Sequence, residues 1–145
     1  MEEEIVNKVK KYVKEKMTNE STGHDWWHIK RVYDLAIKIN ENEIKNEKEK
    51  TDKFVIEMIA LLHDIFDKKF YDGDIRENLI KLLKKLNVIE KIDKEKLENI
   101  IFSIEKISFN GGFSRVKISK EGEIVQDADR IDALGAIRNS KNICI

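Results

Sequence analysis

A histidine and an aspartate stand together at the end of the most apolar stretch of this sequence. The run from Phe54 to Leu62 is interrupted only by Glu57, and His63 and Asp64 follow it directly. An ionisable group at an apolar site must be paired, hydrogen-bonded or bound to a metal. Imidazole nitrogen and carboxylate oxygen are ligand types that Mn, Fe, Co and Zn sites share. The pair therefore indicates a divalent-metal site, although a capped helix end with one hydrogen bond to the histidine would also explain it.

Two further groups of the same kind lie on other predicted helices. His28 falls on the second helix, and Asp129 falls at the edge of the apolar face of the last helix. Asp127 and Asp132 are less clearly inward, and helical periodicity alone does not choose among the three carboxylates. Ligands from three helices would leave coordination positions for water and substrate, which is typical of a catalytic rather than a structural metal.

The elements that must position these groups are all predicted to be helices. Apolar residues return at three- and four-residue steps, proline is absent, and strand and turn signals are sparse. We therefore predict an all-α bundle of about five to six helices in one domain over residues 1–145. The last helix is expected to turn Ile124, Val125, Ala128, Ile131 and Gly135 inward, and the polar run from Asn40 to Lys50 is expected to be a solvated helix end and loop. The predicted helices start at Glu2, near Asp25, after Thr51 as N-cap, at Asp74, near Asp93 and near Ser119.

Composition excludes several classes of protein. The sequence has 145 residues and a net charge of zero from 28 basic and 28 acidic side chains, which argues against a nucleic-acid partner. The start is acidic where a signal peptide would be basic, and no apolar run approaches the length of a membrane span. A single cysteine excludes an internal disulfide. We expect a cytoplasmic protein with no membrane partner.

Three segments carry a family resemblance and occur in the family's order. They run from Gly23 to Val32, from Leu61 to Asp67 and from Gln126 to Ile137. Together they resemble the HD-domain phosphohydrolase superfamily, and within it the small bacterial and archaeal HD hydrolases. The resemblance covers most of the chain and implies one HD-type helical bundle built around a metal site.

The resemblance also implies a ligand set, a cofactor and a reaction. It places His28, His63, Asp64 and Asp129 on the ion and selects Asp129 over its two neighbours. The implied ion is Mn²⁺, with Mg²⁺, Co²⁺, Ni²⁺ and Fe²⁺ as alternatives. The implied substrate is a small nucleotide: a nucleoside triphosphate cut between the α- and β-phosphates to give a monophosphate and pyrophosphate.

Other residues are candidates for the chemistry around the ion. Besides Asp64, Asp67 is the candidate that orients or deprotonates the attacking water, because it stands one predicted helical turn later. Arg31, one turn after His28, and Lys69 are candidates for the substrate phosphates, as is His24 at the helix start. A solvated position would explain Asp67 equally well, and ordinary surface salt bridges compete with the phosphate role of Arg31 and Lys69. His24, as a polar residue in a turn before a helix, needs no function.

The sequence departs from the family after Ile137, since family members continue there into further helices. Because of this departure, we expect the C-terminal helices of the family to be absent from this sequence. An apolar surface left exposed in their place would favour a homodimer. Nucleotide phosphatase or alarmone hydrolase activity is an alternative reaction of the HD type. A non-catalytic domain that binds metal or nucleotide is a further alternative, and so is a helical bundle whose inward polar residues are only structural.

Overall fold

Six α-helices and one short 3₁₀ helix make up the part of the chain that is described. The computed structural model describes residues 1–18, 26–43, 50–66, 74–108 and 118–143, without the side chains of residues 43, 108 and 136–143. The predicted all-α fold of five to six helices is confirmed. Within these ranges no helix is both long and apolar enough to cross a membrane. The helices are α1 (Glu2–Thr18), α2 (Trp26–Glu43), α3 (Lys53–Leu62), α4 (Ile75–Lys85), the 3₁₀ helix (Ile89–Lys91), α5 (Lys94–Ser108) and α6 (Lys120–Ile143).

Helix α3 is the centre of the bundle. It packs against α1, α2, α5 and α6, and it buries every residue from Phe54 to Leu62 except Glu57. A helix that is apolar on all sides is stable only when other elements surround it. Its C-terminal end is therefore a point inside the bundle where side chains from several helices can meet.

The start of α3 differs from the prediction by one residue. Asp52, not Thr51, is the N-cap, and its carboxylate accepts hydrogen bonds from the amides of Phe54 at 3.0 Å and Val55 at 3.4 Å. Thr51 instead donates its hydroxyl to the side-chain oxygen of Asn40. Asn40 is only 2% exposed and lies within α2, so the prediction of a solvated run was wrong at that residue. One contact explains both differences from the prediction. The Thr51 hydroxyl donates its hydrogen bond to the buried side chain of Asn40 and therefore does not cap α3.

Helix α6 begins where the sequence predicted, but the face that it turns inward differs slightly from the predicted one. The Ser119 hydroxyl accepts a hydrogen bond from the amide of Gly122 at 3.1 Å, as a capping residue does. Ile124, Val125 and Ala128 are buried as expected. The prediction was wrong for Ile131, which is 48% exposed. Four residues after Ala128, the inward face continues through Asp132 instead, whose side chain is only 12% exposed.

Gly122 allows α6 to lie close to α5. A Cβ atom at this position would lie 2.8 Å from the Ser103 Oγ and 3.2 Å from the Ile118 Cδ1. Ser103 is fully buried and is held by hydrogen bonds of 3.2 Å with Asn99 and with Ser119. The hydroxyl cannot swing away without losing both bonds, so the close approach depends on glycine.

Replacing Gly122 with Ala is expected to lower the free energy of unfolding by about 1–3 kcal/mol, the usual cost of overpacking. The matched control is Gly135→Ala on the same helix, where a Cβ would meet nothing within 4 Å. That change should be neutral or stabilising by up to about 1 kcal/mol, because alanine favours helix. Urea unfolding followed by circular dichroism measures both. Equal stability of the two variants would show that α5 and α6 are not in close contact here.

Candidate metal centre

Two histidines and an aspartate meet at the C-terminal end of α3. The helix ends at Leu62, His63 is its C-cap, and Asp64 lies in the turn that follows. His28 approaches from the first turns of α2, and the two imidazole centroids are 5.9 Å apart. One ligand atom from each of His28, His63 and Asp64 lies within 4.8 Å of the others. These are distances that a single bound ion can span.

Asp129 brings a second carboxylate to the same place from α6. Its Oδ1 lies 3.1 Å from the His28 Nε2 and 3.6 Å from the His63 Nε2. The Asp129 side chain is 38% exposed, whereas His63 is buried, so the cluster has an interior side and a side open to solvent. The structure thus brings together all four predicted metal ligands. It leaves Asp127 exposed on the outside of α6.

The ring of His63 is oriented by the backbone of its own helix. Its Nδ1 lies 2.7 Å from the carbonyl oxygen of Ala60. A carbonyl oxygen only accepts, so Nδ1 must carry the proton and donate it. This bond fixes the tautomer and turns Nε2 towards Asp129 and the other polar groups. Metal-binding histidines are typically held in this way, with one ring nitrogen donating to a carbonyl or carboxylate while the other faces the ion.

The ring of His28 is held by a carboxylate that helical periodicity left less clearly inward. Asp132 places its Oδ2 2.7 Å from the His28 Nδ1. The Arg31 guanidinium in turn donates from Nε to the Asp132 Oδ1 at 2.8 Å and from Nη2 to the Oδ2 at 3.4 Å. Spacing could have pointed to this arrangement, since Asp129 and Asp132 are three residues apart, as are His28 and Arg31, and residues at this spacing share a helix face.

Charge and burial perturb the protonation of these groups. The hydrogen bond with Asp129 is the largest contribution that raises the pKa of His28 to about 9; burial opposes it, while Asp132 and the charge of Asp64 add to it. Burial alone would raise the pKa of Asp129, but the hydrogen bond from His28 and the nearby His63 outweigh it and hold that pKa below the usual range. For Asp132, burial is likewise outweighed by hydrogen bonds from Arg31 and His28, so its pKa is lowered. Asp129 and Asp132 are therefore ionised at neutral pH, the state in which carboxylates bind cations.

The remaining predicted site residues have different outcomes. His24, Asp67 and Lys69 lie outside the described residues. The placement of Asp67 assumed a helix continuing past Asp64, and that assumption was wrong because α3 ends at Leu62. Arg31 is half exposed beside the cluster and pairs with Asp132. Its predicted contact with substrate phosphate stays a prediction.

Replacing Asp132 with Ala is expected to weaken Mn²⁺ binding about 10–100-fold, as loss of a carboxylate that orients a ligand usually does. The physical reason is that the His28 ring would lose the partner at its Nδ1 and could rotate. Isothermal titration calorimetry measures the effect, and Asp127→Ala on the exposed side of α6 is the matched control. If both variants bind Mn²⁺ equally, Asp132 does not orient His28.

Comparison with known proteins places this geometry in a family. The HD domain model matches residues 26–134 of the chain. YpgQ of Bacillus subtilis is 40% identical over 131 residues, a match that covers 89% of this chain and 60% of YpgQ. The chain therefore spans about 60% of the length of this relative.

Solved structures show the same relationship. The crystal structure of an HD-superfamily hydrolase from Bacillus thuringiensis superposes with a TM-score of 0.72 and 31% identity, covering 99% of this chain and 65% of that one. The crystal structure of Bacillus subtilis YpgQ in complex with ADP superposes with a TM-score of 0.68 and 34% identity, covering 91% of this chain and 60% of that one. The family predicted from the three sequence segments is confirmed: the chain belongs to the HD domain family.

Proposed function

We propose that this protein is a metal-dependent phosphohydrolase whose divalent ion is held by His28, His63, Asp64 and Asp129. The observation that carries the proposal is the convergence of two imidazoles and two carboxylates from three separate segments, α2, the end of α3 and α6. The membership of the chain in the HD domain family and its likeness to a structure described as an HD-superfamily hydrolase support the reaction class.

The chemistry of the donor set fits a transition-metal ion. Nitrogen and oxygen donors together suit Mn²⁺, Fe²⁺, Co²⁺ and Ni²⁺, whereas Mg²⁺ prefers oxygen alone. The His63 ring is oriented through Ala60 and the His28 ring through Asp132, so each already has the second partner that metal-binding histidines require. Mn²⁺ is the ion that we propose for this site.

Each residue has a defined part in the proposed reaction. A divalent ion at this site would supply positive charge for substrate phosphates and an acidified water as nucleophile. Asp132 keeps the His28 ring in place, and Arg31 lies at the exposed edge beside it. The open side of Asp129 is where substrate would enter. In this proposal Asp67 orients or deprotonates the water, and Arg31, Lys69 and His24 contact the phosphates.

The finer proposal is that the substrate is a nucleoside triphosphate, cut between the α- and β-phosphates to give a monophosphate and pyrophosphate. The ADP complex of YpgQ, which is 34% identical in the aligned part, supports a nucleotide as the ligand of this chain. A nucleotide phosphatase and an alarmone hydrolase use the same metal chemistry, and they are the alternatives that the experiment must separate.

The decisive experiment is product analysis of a panel of nucleotides. The purified protein is incubated with Mn²⁺ and nucleoside tri- or monophosphates, with an alarmone included, and the Asp64→Asn variant is the control. We expect monophosphate and pyrophosphate from triphosphates with the wild type alone. Release of orthophosphate from monophosphates would contradict this proposal and show that the protein is a nucleotide phosphatase. Binding of Mn²⁺ without any turnover would instead indicate a domain that binds metal or nucleotide without catalysis.

The predicted homodimer stays a prediction. Among the described residues, the large apolar side chains of Trp27, Ile131 and Leu134 are exposed, at 62%, 48% and 63%. Exposed apolar groups of this size on α2 and α6 are consistent with a contact between copies. Sedimentation velocity over a range of protein concentrations checks the subunit number.

A further inference from the structure

A single charged side chain interrupts the buried run of α3. Glu57 lies between Ile56 and Met58, which are fully buried, and its own side chain is only 14% exposed. A carboxylate in such surroundings is costly unless it has hydrogen-bond partners. Tyr33 of α2 donates its hydroxyl to the Glu57 Oε2 at 3.0 Å, and the exposed Lys53 places its Nζ 4.0 Å from the Oε1. The proposed reaction uses neither Tyr33 nor Glu57, so the pair calls for another explanation.

The Tyr33 hydroxyl is a fixed donor to this carboxylate. The Tyr33 ring is partly buried and packs against the hydrophobic core, and the Lys10 Nζ of α1 lies 4.7 Å from its centroid. Burial, and then the negative charge of Glu57, raise the pKa of the Tyr33 hydroxyl. The hydroxyl therefore keeps its proton at neutral pH and donates it, which joins α2 to α3 at one defined place.

The Tyr33–Glu57 bond connects the two segments that carry the ligand histidines. His28 precedes Tyr33 by five residues in α2, and His63 follows Glu57 by six residues, directly after the end of α3. At a rise of 1.5 Å per residue, the bond lies roughly 7–9 Å from the histidines along each helix. The two contacts occur in reverse order along the two helices, so α2 and α3 are antiparallel. A displacement of α2 along α3 would therefore change both contacts together.

We propose that Tyr33 and Glu57 are positioning residues for the metal centre. Their hydrogen bond sets how far α2 is displaced along α3, and thereby the separation of the two ligand histidines. The inference rests on the proposed function, since it concerns the same metal site. It assigns a role to the one charged residue within the apolar run of α3.

This bond limits sliding of the two helices more narrowly than the packing around it. Among the described side chains of α2 and α3, the buried ones are apolar apart from Asn40. Apolar attraction is non-directional, whereas a hydrogen bond weakens steeply when its distance and angle change. The polar contact of Asn40 with Thr51 lies near the other end of α2. The Tyr33–Glu57 bond is thus the nearer of these two polar contacts to the histidines.

The ligand histidines tolerate little displacement. Ligand distances at a metal ion are confined to about ±0.2 Å. The His63 ring is held by the carbonyl oxygen of Ala60. The His28 ring is held by Asp132, so neither ring can rotate freely to compensate for a shift of its helix. A small shift of α2 against α3 is therefore expected to weaken metal binding.

A purely stabilising role for the bond makes a different prediction. In that case its removal would lower the free energy of unfolding and leave the Mn²⁺ affinity of the folded protein unchanged. The two roles can be separated, because loss of one partner leaves the other buried and unpaired, whereas replacing both by apolar side chains is nearly neutral or stabilising. The double variant Tyr33→Phe with Glu57→Met removes the bond and leaves no unpaired group behind.

The experiment compares this double variant with the wild type, both as full chains. Urea unfolding without metal should show similar stability, while titration calorimetry should show Mn²⁺ binding weakened about three- to tenfold, less than for loss of a carboxylate that contacts a ligand histidine. The visible absorption spectrum of the Co²⁺-loaded protein, which depends on coordination geometry, should change as well. Glu57→Gln alone keeps an oxygen acceptor for the Tyr33 hydroxyl, so its affinity and spectrum should stay close to those of the wild type.

Tyr12→Phe is the matched control. Tyr12 lies on α1 and is also partly buried against the core, so this variant loses a tyrosine hydroxyl elsewhere in the bundle and should leave both measurements unchanged. Unchanged Mn²⁺ affinity and Co²⁺ spectrum in the double variant would overturn the positioning role while leaving the metal site in place. An equal loss of affinity in Glu57→Gln would also overturn it, because the charge and not the bond would then be responsible. A wild type that binds no Mn²⁺ would overturn this inference together with the proposed function.

Discussion

Asp129→Asn is expected to weaken Mn²⁺ binding by about 100-fold or more. This exceeds the roughly 10–100-fold loss that follows removal of a group that merely orients a ligand. The Asp129 Oδ1 lies 3.1 Å and 3.6 Å from the Nε2 atoms of the two histidines, at the place where the donors converge. The amide keeps the shape of the side chain but removes its negative charge, and a neutral oxygen is a much weaker ligand for a divalent cation.

Asp127→Asn is the matched control for this variant. Asp127 is on the same helix, two residues earlier, and points to solvent, so the identical chemical change there should leave Mn²⁺ affinity within about twofold, as expected of surface substitutions. Calorimetric titration of both proteins, after circular dichroism has shown equal helix content, gives the comparison. If Asp129→Asn binds Mn²⁺ as tightly as Asp127→Asn, then Asp129 is not a ligand.

Helical periodicity alone did not identify which aspartates of α6 reach the site. Residues 127, 129 and 132 span little more than one helical turn, and a period of 3.6 residues does not decide how far each points inward. The family resemblance selected Asp129, and the structure places it beside the histidines. Asp132 was missed although its spacing of three residues puts it on the same helix face as Asp129. Spacing does not say that this face meets His28 and Arg31, because that contact depends on how α2 packs against α6.

The fold was predicted better than its details, for a related reason. An apolar run as long as Phe54 to Leu62 has to be surrounded, and α3 is indeed the helix that four others contact. Polarity alone misjudged individual residues. Asn40 was expected to be solvated, yet it is buried because Thr51 satisfies its side-chain oxygen. Ile131 was expected to be inward, yet the inward position is taken by Asp132, which finds two charged partners there.

The same contacts explain why metal binding should be linked to stability. His28 is carried by α2, Asp129 by α6 and the pair His63 and Asp64 by the end of α3. Ligation would tie these three segments together in the folded chain. In the unfolded chain they are far apart in sequence and present no assembled site. An ion that binds only the folded state shifts the folding equilibrium towards that state by mass action.

Excess Mn²⁺ is therefore expected to raise the melting temperature of the wild type, and the Asp64→Asn variant should lose this increase. At a free ion concentration of about 100 times Kd, the stabilisation is about 2.7 kcal/mol. For a domain of this size that corresponds to roughly 5–10 °C. Differential scanning calorimetry with and without Mn²⁺ measures the increase, and EDTA should reverse it.

The increase caused by the ion is the quantity to compare, rather than the melting temperature itself. His63 is buried and its ring bonds to Ala60, so His63→Ala would lower stability even without metal, through the cavity it leaves. Asp64→Asn keeps the volume of the side chain, and it isolates the contribution of the ligand more cleanly. An equal Mn²⁺-dependent increase in the wild type and in Asp64→Asn would mean that the ion binds elsewhere on the chain. Loss of the increase in Asp64→Asn and His63→Ala, with Asp127→Asn unaffected, would locate the bound ion at the C-terminal end of α3.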